Sequence, residues 1–205
     1  MLPFPAPDPD AAAGGLPVAV DRSFATAHRV QLDPASWVEH VPGWLTGDEA
    51  LMDLLRELAS WERRTRWMYD KRVDEPRLTA EYPVIADAPH PVFGLLAGAL
   101  SEHYRTPYER LWMNWYRDHD DSTGWHADRP ANRLAEATIP VLSLGATRRF
   151  LIRPAGGGAS TGFTVGGGDL VVMGGRCQKD WQHCVPKQKT AAAGRMSLNF
   201  SAATA

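Results

Sequence analysis

The apolar residues of this chain change period twice, and those changes divide it. Between Val18 and Val41 they alternate loosely (Val18, Val20; Val30, Leu32; Trp37, Val38, Val41), which predicts one or two strands before Pro42-Gly43. Leu51, Leu54, Leu55, Leu58 and Trp61 then recur at helical spacing behind Asp48 and Glu49, acids suited to a first turn. Residues 48–61 are therefore predicted as an amphipathic helix whose business is packing. Val92, Phe93, Leu95, Leu96, Leu100 and Tyr104 repeat the pattern and predict a second helix over 92–105.

From Leu111 the period falls to two. Asn114 and Tyr116 share one face of a predicted strand, and Leu111, Met113 and Trp115 share the other. Short strands follow over 138–144, 147–153, 161–165, 170–173 and 195–200. Glycine turns at Gly145, Gly156–Gly158, Gly166–Gly168 and Gly174-Gly175 separate them. In the last strand Arg195, Ser197, Asn199 and Ser201 line up opposite Met196, Leu198 and Phe200. Two helices followed by many short strands predict an α+β chain dominated by a double-sheet jelly roll, a double-stranded β-helix with the N-terminal helices packed on one sheet. At 205 residues a single domain is expected over 17–205. It would comprise an extension over 17–110, which carries the helices and a lid-like region, and a jelly-roll core over 111–201. The proline- and acid-rich residues 1–16 read as a flexible tail.

Composition narrows the classes. With 44% hydrophobic and 22% charged residues the chain is that of a globular protein, and no apolar run is long enough to span a membrane. The first residues lack the basic and apolar segments of a signal peptide, so a cytoplasmic setting is expected. A net charge of −2 excludes a uniformly basic surface and leaves any nucleic-acid partner to a local patch. The two cysteines, Cys177 and Cys184, flank His183; they are expected to be reduced, and a zinc site there would still lack a fourth protein ligand.

The candidate chemistry centres on 114–128. His126-x-Asp128 places an imidazole and a carboxylate on one side of an extended segment. His183, far downstream in Trp181-Gln-His183-Cys-Val-Pro, supplies a third donor. Two neutral imidazoles and one carboxylate leave three adjacent coordination positions open, the arrangement of non-haem Fe(II) oxygenases. A second such pair, His119-Asp120, sits in an acidic run that reads as a solvated turn. Upstream, Arg63, Arg64, Arg66, Lys71 and Arg72 interleave with Trp67 and Tyr69. That composition suits either stacking on bases and contact with phosphates, or a solvated hairpin whose aromatics tuck into the core. Arg195 opens the polar face of the last strand, where its planar fork matches a carboxylate.

In order, Asn114-x-Tyr116, His126-x-Asp128, Ser143-Leu-Gly-Ala-x-Arg148-x-Phe150-x-x-Arg153, Gly168-Asp-Leu-x-x-Met173, Trp181-x-His183-x-Val-Pro and Arg195-x-Ser-Leu-x-Phe200 resemble the AlkB family of Fe(II)/2-oxoglutarate dioxygenases. Pro76-Arg77-Leu-Thr-Ala-x-Tyr82 is similar to the eukaryotic-type DNA repair branch. The resemblance implies that His126, Asp128 and His183 hold iron and that Asn114, Tyr116 and Arg195 hold 2-oxoglutarate. It also implies dioxygen as co-reactant, and substrate contacts from Trp67, Tyr69, Arg77 and Arg148. The activity implied is oxidative demethylation of N-alkylated bases in single-stranded or locally opened nucleic acid by a monomer, with release of formaldehyde, succinate and CO2. Two positions depart from the family pattern. A second arginine expected six residues after Arg195 is Ser201, and an acid expected two residues after Asp128 is Pro130. The same iron chemistry on a small molecule or a protein, and a non-catalytic jelly-roll module, remain alternatives.

Overall fold

The computed structural model describes residues 14–68 and 70–203, the side chains of 66–68 and 71 excepted. Fourteen strands, numbered in chain order, form two main sheets and one small ribbon among the described residues. The larger sheet has eight strands. They run β2 (His28–Asp33), β3 (Ser36–Val41), β12 (Leu170–Gly175), β9 (Ile139–Gly145), β14 (Arg195–Ser201), β7 (Arg110–Tyr116), β6 (Lys71–Tyr82) and β5 (Glu62–Met68). Facing it is a four-stranded sheet, β11 (Thr161–Val165), β10 (Arg148–Pro154), β13 (Trp181–Val185) and β8 (Thr123–His126). The ribbon pairs β1 (Ala19–Val20) with β4 (Leu45–Thr46). This is the expected jelly roll.

Period-two alternation gives the large sheet two apolar faces. Met196, Leu198 and Phe200 of β14, with Leu111 and Met113 of β7, point toward the helices α1 (Asp48–Leu58) and α2 (Val92–Tyr104). There they bury Leu51, Leu55, Phe93, Leu96 and Leu100, each removed from water at a gain of about 1.5–3 kcal/mol. Val141, Val171 and Met173 face the smaller sheet, against Phe150, Ile152 and Val165. The same face of β7 and β14 carries polar residues instead, so the two sheets part there and leave room for a cavity.

The predicted elements hold with shifted ends. The first helix closes at Leu58 rather than Trp61, whose indole Nε1 donates to the Leu55 carbonyl (2.8 Å). Among the described residues three short strands, not one or two, precede Pro42-Gly43, and a fourth lies between that turn and α1. The expected tail falls on residues outside those described except for 14–16, of which Leu16 packs against the helix-side core. Strands β5 and β6 form the hairpin, one of the two readings of this basic, aromatic region, and Pro76 interrupts the pattern of β6. The β5–β6 register slips between Arg63 and Thr65, beside that proline. Proline cannot donate to a ladder, and a bulge absorbs it. The Pro76 carbonyl accepts the Ser122 amide instead (3.0 Å), and Glu75 and Arg77 turn into the cavity. Gly145 (φ 77°) closes β9 in the left-handed region, and a Cβ there would meet the Gly194 carbonyl at 2.7 Å, so the turn admits glycine alone. No described helix is long and apolar enough to cross a membrane.

Candidate metal and cosubstrate centre

Strand pairing brings the two histidines together. His126 ends β8, His183 lies in β13, and the two are direct partners in the antiparallel ladder. Their rings sit 4.2 Å apart, centroid to centroid. Asp128, just beyond β8, completes the group: its Oδ1 is 3.5 Å from the Nε2 of each histidine. One carboxylate oxygen and two imidazole nitrogens thus converge on one point.

The surrounding bonds select the species a cation needs. His126 Nδ1 lies 2.9 Å from the Gly124 carbonyl; a carbonyl can only accept, so Nδ1 carries a proton, and in the neutral ring the free lone pair is on Nε2. Burial lowers the pKa of His183 and keeps it neutral. For His126 burial acts the same way, but the Asp128 carboxylate outweighs it and raises the value. Burial would push the Asp128 carboxyl up, yet the His183 and His126 imidazoles hold it far below the usual carboxylate range. An ionised carboxylate with two imidazoles is the donor set expected for a divalent transition ion.

Gln178, which the sequence reading missed, restrains the carboxylate. Its side chain makes two bonds to the same residue: Nε2 donates to Asp128 Oδ2 (3.0 Å) and Oε1 accepts the Asp128 amide (2.7 Å). It sits on α3 (Cys177–Asp180), a single turn with no amphipathic signal. Such partners orient metal ligands and set their basicity. With Oδ2 tied, only Oδ1 faces the imidazoles, and Asp128 offers a single ligand atom.

The cavity above this point has a volume of about 770 Å³ and runs along the polar faces of β7 and β14. At one end lies Arg195, 2% exposed, its Nη2 donating to Ser143 Oγ (2.7 Å). Its Nε and Nη1 are buried with no partner. Each unsatisfied donor costs about 1–3 kcal/mol and a buried charge more, so an unpartnered fork facing a cavity is shaped for an anion. A 2-oxoglutarate carboxylate matches those donors in charge and geometry. The Tyr116 hydroxyl shares a 2.7 Å hydrogen bond with Thr123 Oγ1, and its ring lies 5.3 Å from the Arg195 guanidinium carbon. Asn114 donates to Ser197 Oγ (3.1 Å) and accepts from Arg77 Nε (2.7 Å) and Trp112 Nε1 (3.2 Å).

The expected substrate residues divide. Arg77 lines the cavity, ion-paired with Glu75 at 3.1 Å. Arg148 is a correction: it is enclosed in the small sheet, 1% exposed, and donates to the carbonyls of Asp118, Asp121 and Pro186 (2.9, 2.8 and 2.9 Å). It was expected to contact substrate, but three loop carbonyls claim its guanidinium. The Trp67 side chain and Tyr69 lie outside the described residues. Neither cysteine joins a metal-capable cluster among the described residues; both are free and buried.

Residues 63–200 match the family model of the 2OG-Fe(II) oxygenase superfamily. The chain belongs to that superfamily. Within it the relatives are of AlkB type. It is 31% identical over 208 residues to the alpha-ketoglutarate-dependent dioxygenase alkB homolog 3 of Mus musculus, covering 90% of this chain and 72% of the relative. The Homo sapiens protein of the same name gives the same figures. The DNA oxidative demethylase ALKBH2 of Arabidopsis thaliana is 27% identical over 116 residues, 45% of this chain and 37% of that protein. Among solved structures, OsALKBH1 superposes with a TM-score of 0.60 at 14% identity, covering 85% of this chain and all (100%) of that one. The chain is an oxidoreductase, a dioxygenase that uses Fe(II), 2-oxoglutarate and dioxygen.

Proposed function

We propose that this dioxygenase removes N-alkyl groups from nucleobases in DNA or RNA, with His126, Asp128 and His183 as its iron ligands and Asn114, Tyr116 and Arg195 as its cosubstrate contacts. The observation that carries the reading is the convergence of both Nε2 atoms on Asp128 Oδ1 at the wall of a cavity that also holds the unpartnered Arg195. When bound, iron would let dioxygen oxidise 2-oxoglutarate to succinate and CO2 with one oxygen atom and hydroxylate a substrate C–H bond with the other; an N-hydroxymethyl product would then separate into formaldehyde and the free nitrogen. The protein's part is placement. Gln178 fixes which oxygen Asp128 presents. The Gly124 carbonyl fixes the His126 tautomer. Phe150, stacked on His183 at 5.4 Å, helps keep water from its ring.

A nucleic-acid substrate is supported by the relatives' names and by the cavity mouth. Arg64 lies 4.0 Å over the Trp112 ring, and Arg129 and exposed Leu134 also line the cavity. Cations beside a flat aromatic suit an unstacked base and its phosphates. The same reading takes the chain as a cytoplasmic monomer acting on single-stranded or locally opened nucleic acid, in keeping with its two free thiols.

The test is a panel of methylated oligonucleotides incubated with Fe(II) and 2-oxoglutarate and read by mass spectrometry, with H126A as control. Loss of a methyl group with matching formaldehyde is expected, together with binding that weakens steeply with salt. Succinate without demethylation of any oligonucleotide would move the activity to a small molecule or a protein.

A further inference from the structure

The last step of the proposed reaction moves a proton, and the groups assigned so far leave it nowhere to go. An N-hydroxymethyl product separates when its O–H proton is taken as the C–N bond breaks. A bound ring displaces water from the cavity, so the acceptor has to come from the protein. The metal ligands are committed, and the Tyr116 hydroxyl is engaged with Thr123 Oγ1 at 2.7 Å.

Four carboxylates line the cavity: Glu75, Glu81, Asp128 and Glu136. Asp128 is tied by Gln178 and faces the two imidazoles. Glu81 and Glu136 are exposed, and Glu81 is paired with Arg64 at 3.1 Å. Glu75 alone is both enclosed and uncommitted as an acceptor. Its side chain is 15% exposed, and Oε2 is buried without a hydrogen bond among the described residues. Arg77 Nη1 approaches that oxygen at 3.1 Å, but outside hydrogen-bonding geometry.

The backbone places this carboxylate at the reacting end. Glu75 and Arg77 stand two apart on β6, and both line the cavity. Between them the Pro76 carbonyl accepts the Ser122 amide (3.0 Å), next to Thr123, where β8 begins. That strand ends on His126. Arg77 Nε in turn donates to Asn114 Oδ1 (2.7 Å), on the cosubstrate side. Glu75 is thus carried between the metal-bearing strand and the cosubstrate contacts, the region in which an oxidised carbon would lie.

We propose that Glu75 is the general base that releases formaldehyde. Its Oε2 takes the hydroxyl proton of the N-hydroxymethyl group. The O–H electron pair closes the C=O bond, and the C–N pair returns to the ring nitrogen. A ring that was cationic leaves neutral, so no second proton is needed there. Glu75 ends protonated and gives its proton to water as the product departs. The step follows hydroxylation, and the proposal rests on the demethylase reading.

A single turnover on a methylated oligonucleotide, with Fe(II) and 2-oxoglutarate, is stopped by a chelator, and strand masses are followed in the cold. Chelation ends hydroxylation but not the release step. Wild type should leave only demethylated strand. E75Q should hold a strand one oxygen atom heavier than the methylated one, decaying about a hundredfold more slowly. E75D, which keeps a carboxylate, should recover part of the rate. Higher pH should speed the decay in E75Q more than in wild type, since hydroxide then replaces the missing base. Thermal unfolding checks that each variant is folded. If E75Q releases formaldehyde as fast as wild type, or loses hydroxylation and release together, Glu75 is not the base. If wild type itself never oxidises a methyl group on any strand, the demethylase reading fails instead.

Discussion

Two clusters of the same residue types lie close together in this chain: His126 with Asp128 and His183, and Asp118 with His119 and Asp120. In each, one candidate ligand atom per residue lies within 4.8 Å of the others. Their surroundings differ in every respect that matters to a cation. The first draws its members from β8, the segment after it and β13, so the ladder fixes their separation. The second is three consecutive residues of one exposed turn. There Asp118 Oδ1 accepts the amides of Asp120 (2.8 Å) and Asp121 (3.3 Å), and those bonds lower its pKa. Asp120 faces Lys187 at 3.4 Å, a cation already in the place a metal would take. The turn's carboxylates are employed in shaping backbone, whereas Asp128 has one oxygen tied by Gln178 and the other directed at two lone pairs. Composition is shared. Convergence and restraint are not.

The largest expected effect breaks the first cluster. D128A or H126A should abolish Fe(II) binding and reduce succinate formation more than about a hundredfold, while circular dichroism stays that of wild type. D120A should change neither by more than about twofold. If D120A costs as much as D128A, the contrast drawn here is wrong.

Removing the restraint on the carboxylate comes next. Q178L keeps the volume but deletes both bonds to Asp128, and metal affinity should fall about 10–100-fold. The absorption of the Co(II)-loaded protein should shift as Asp128 changes from one ligand oxygen to two. An unchanged spectrum with unchanged affinity would reduce Gln178 to a packing residue.

A smaller effect concerns stability. A metal present at about a hundred times its dissociation constant stabilises the folded state by about 2.7 kcal/mol, or roughly 5–10 °C in Tm for a chain of this length. Mn(II) should raise the Tm of wild type by that amount and leave H126A unmoved; chelation should reverse the shift. A rise in H126A that D120A cancels would show the exposed turn to be the binding site.

The smallest belongs to that turn. D118A removes the acceptor of two backbone amides and should cost at most about 1 kcal/mol in chemical denaturation, with metal binding intact.

Much of this was legible along the chain. The faces of β7 and β14 follow from period two alone, which sets Asn114 with Tyr116 on one strand and Arg195 on the polar side of the other; their cosubstrate role came only as what the family resemblance implies. Gln178 was not legible. It lies on a single helical turn without periodic neighbours, and its partner is distant in sequence, so no local pattern marks it. Arg148 misled for a related reason. A guanidinium on a strand looks the same whether it faces solvent or a group of unpaired carbonyls, and only the loop closing over it distinguishes the two.

What the sequence by itself determined is the jelly roll and the donor set, since side-chain period and residue chemistry are local properties that survive without neighbours. What only the tertiary structure decided is which donors meet: that His126 pairs with His183, and that Gln178 holds Asp128. Those are matters of strand register, and register depends on a partner strand that the local pattern does not name.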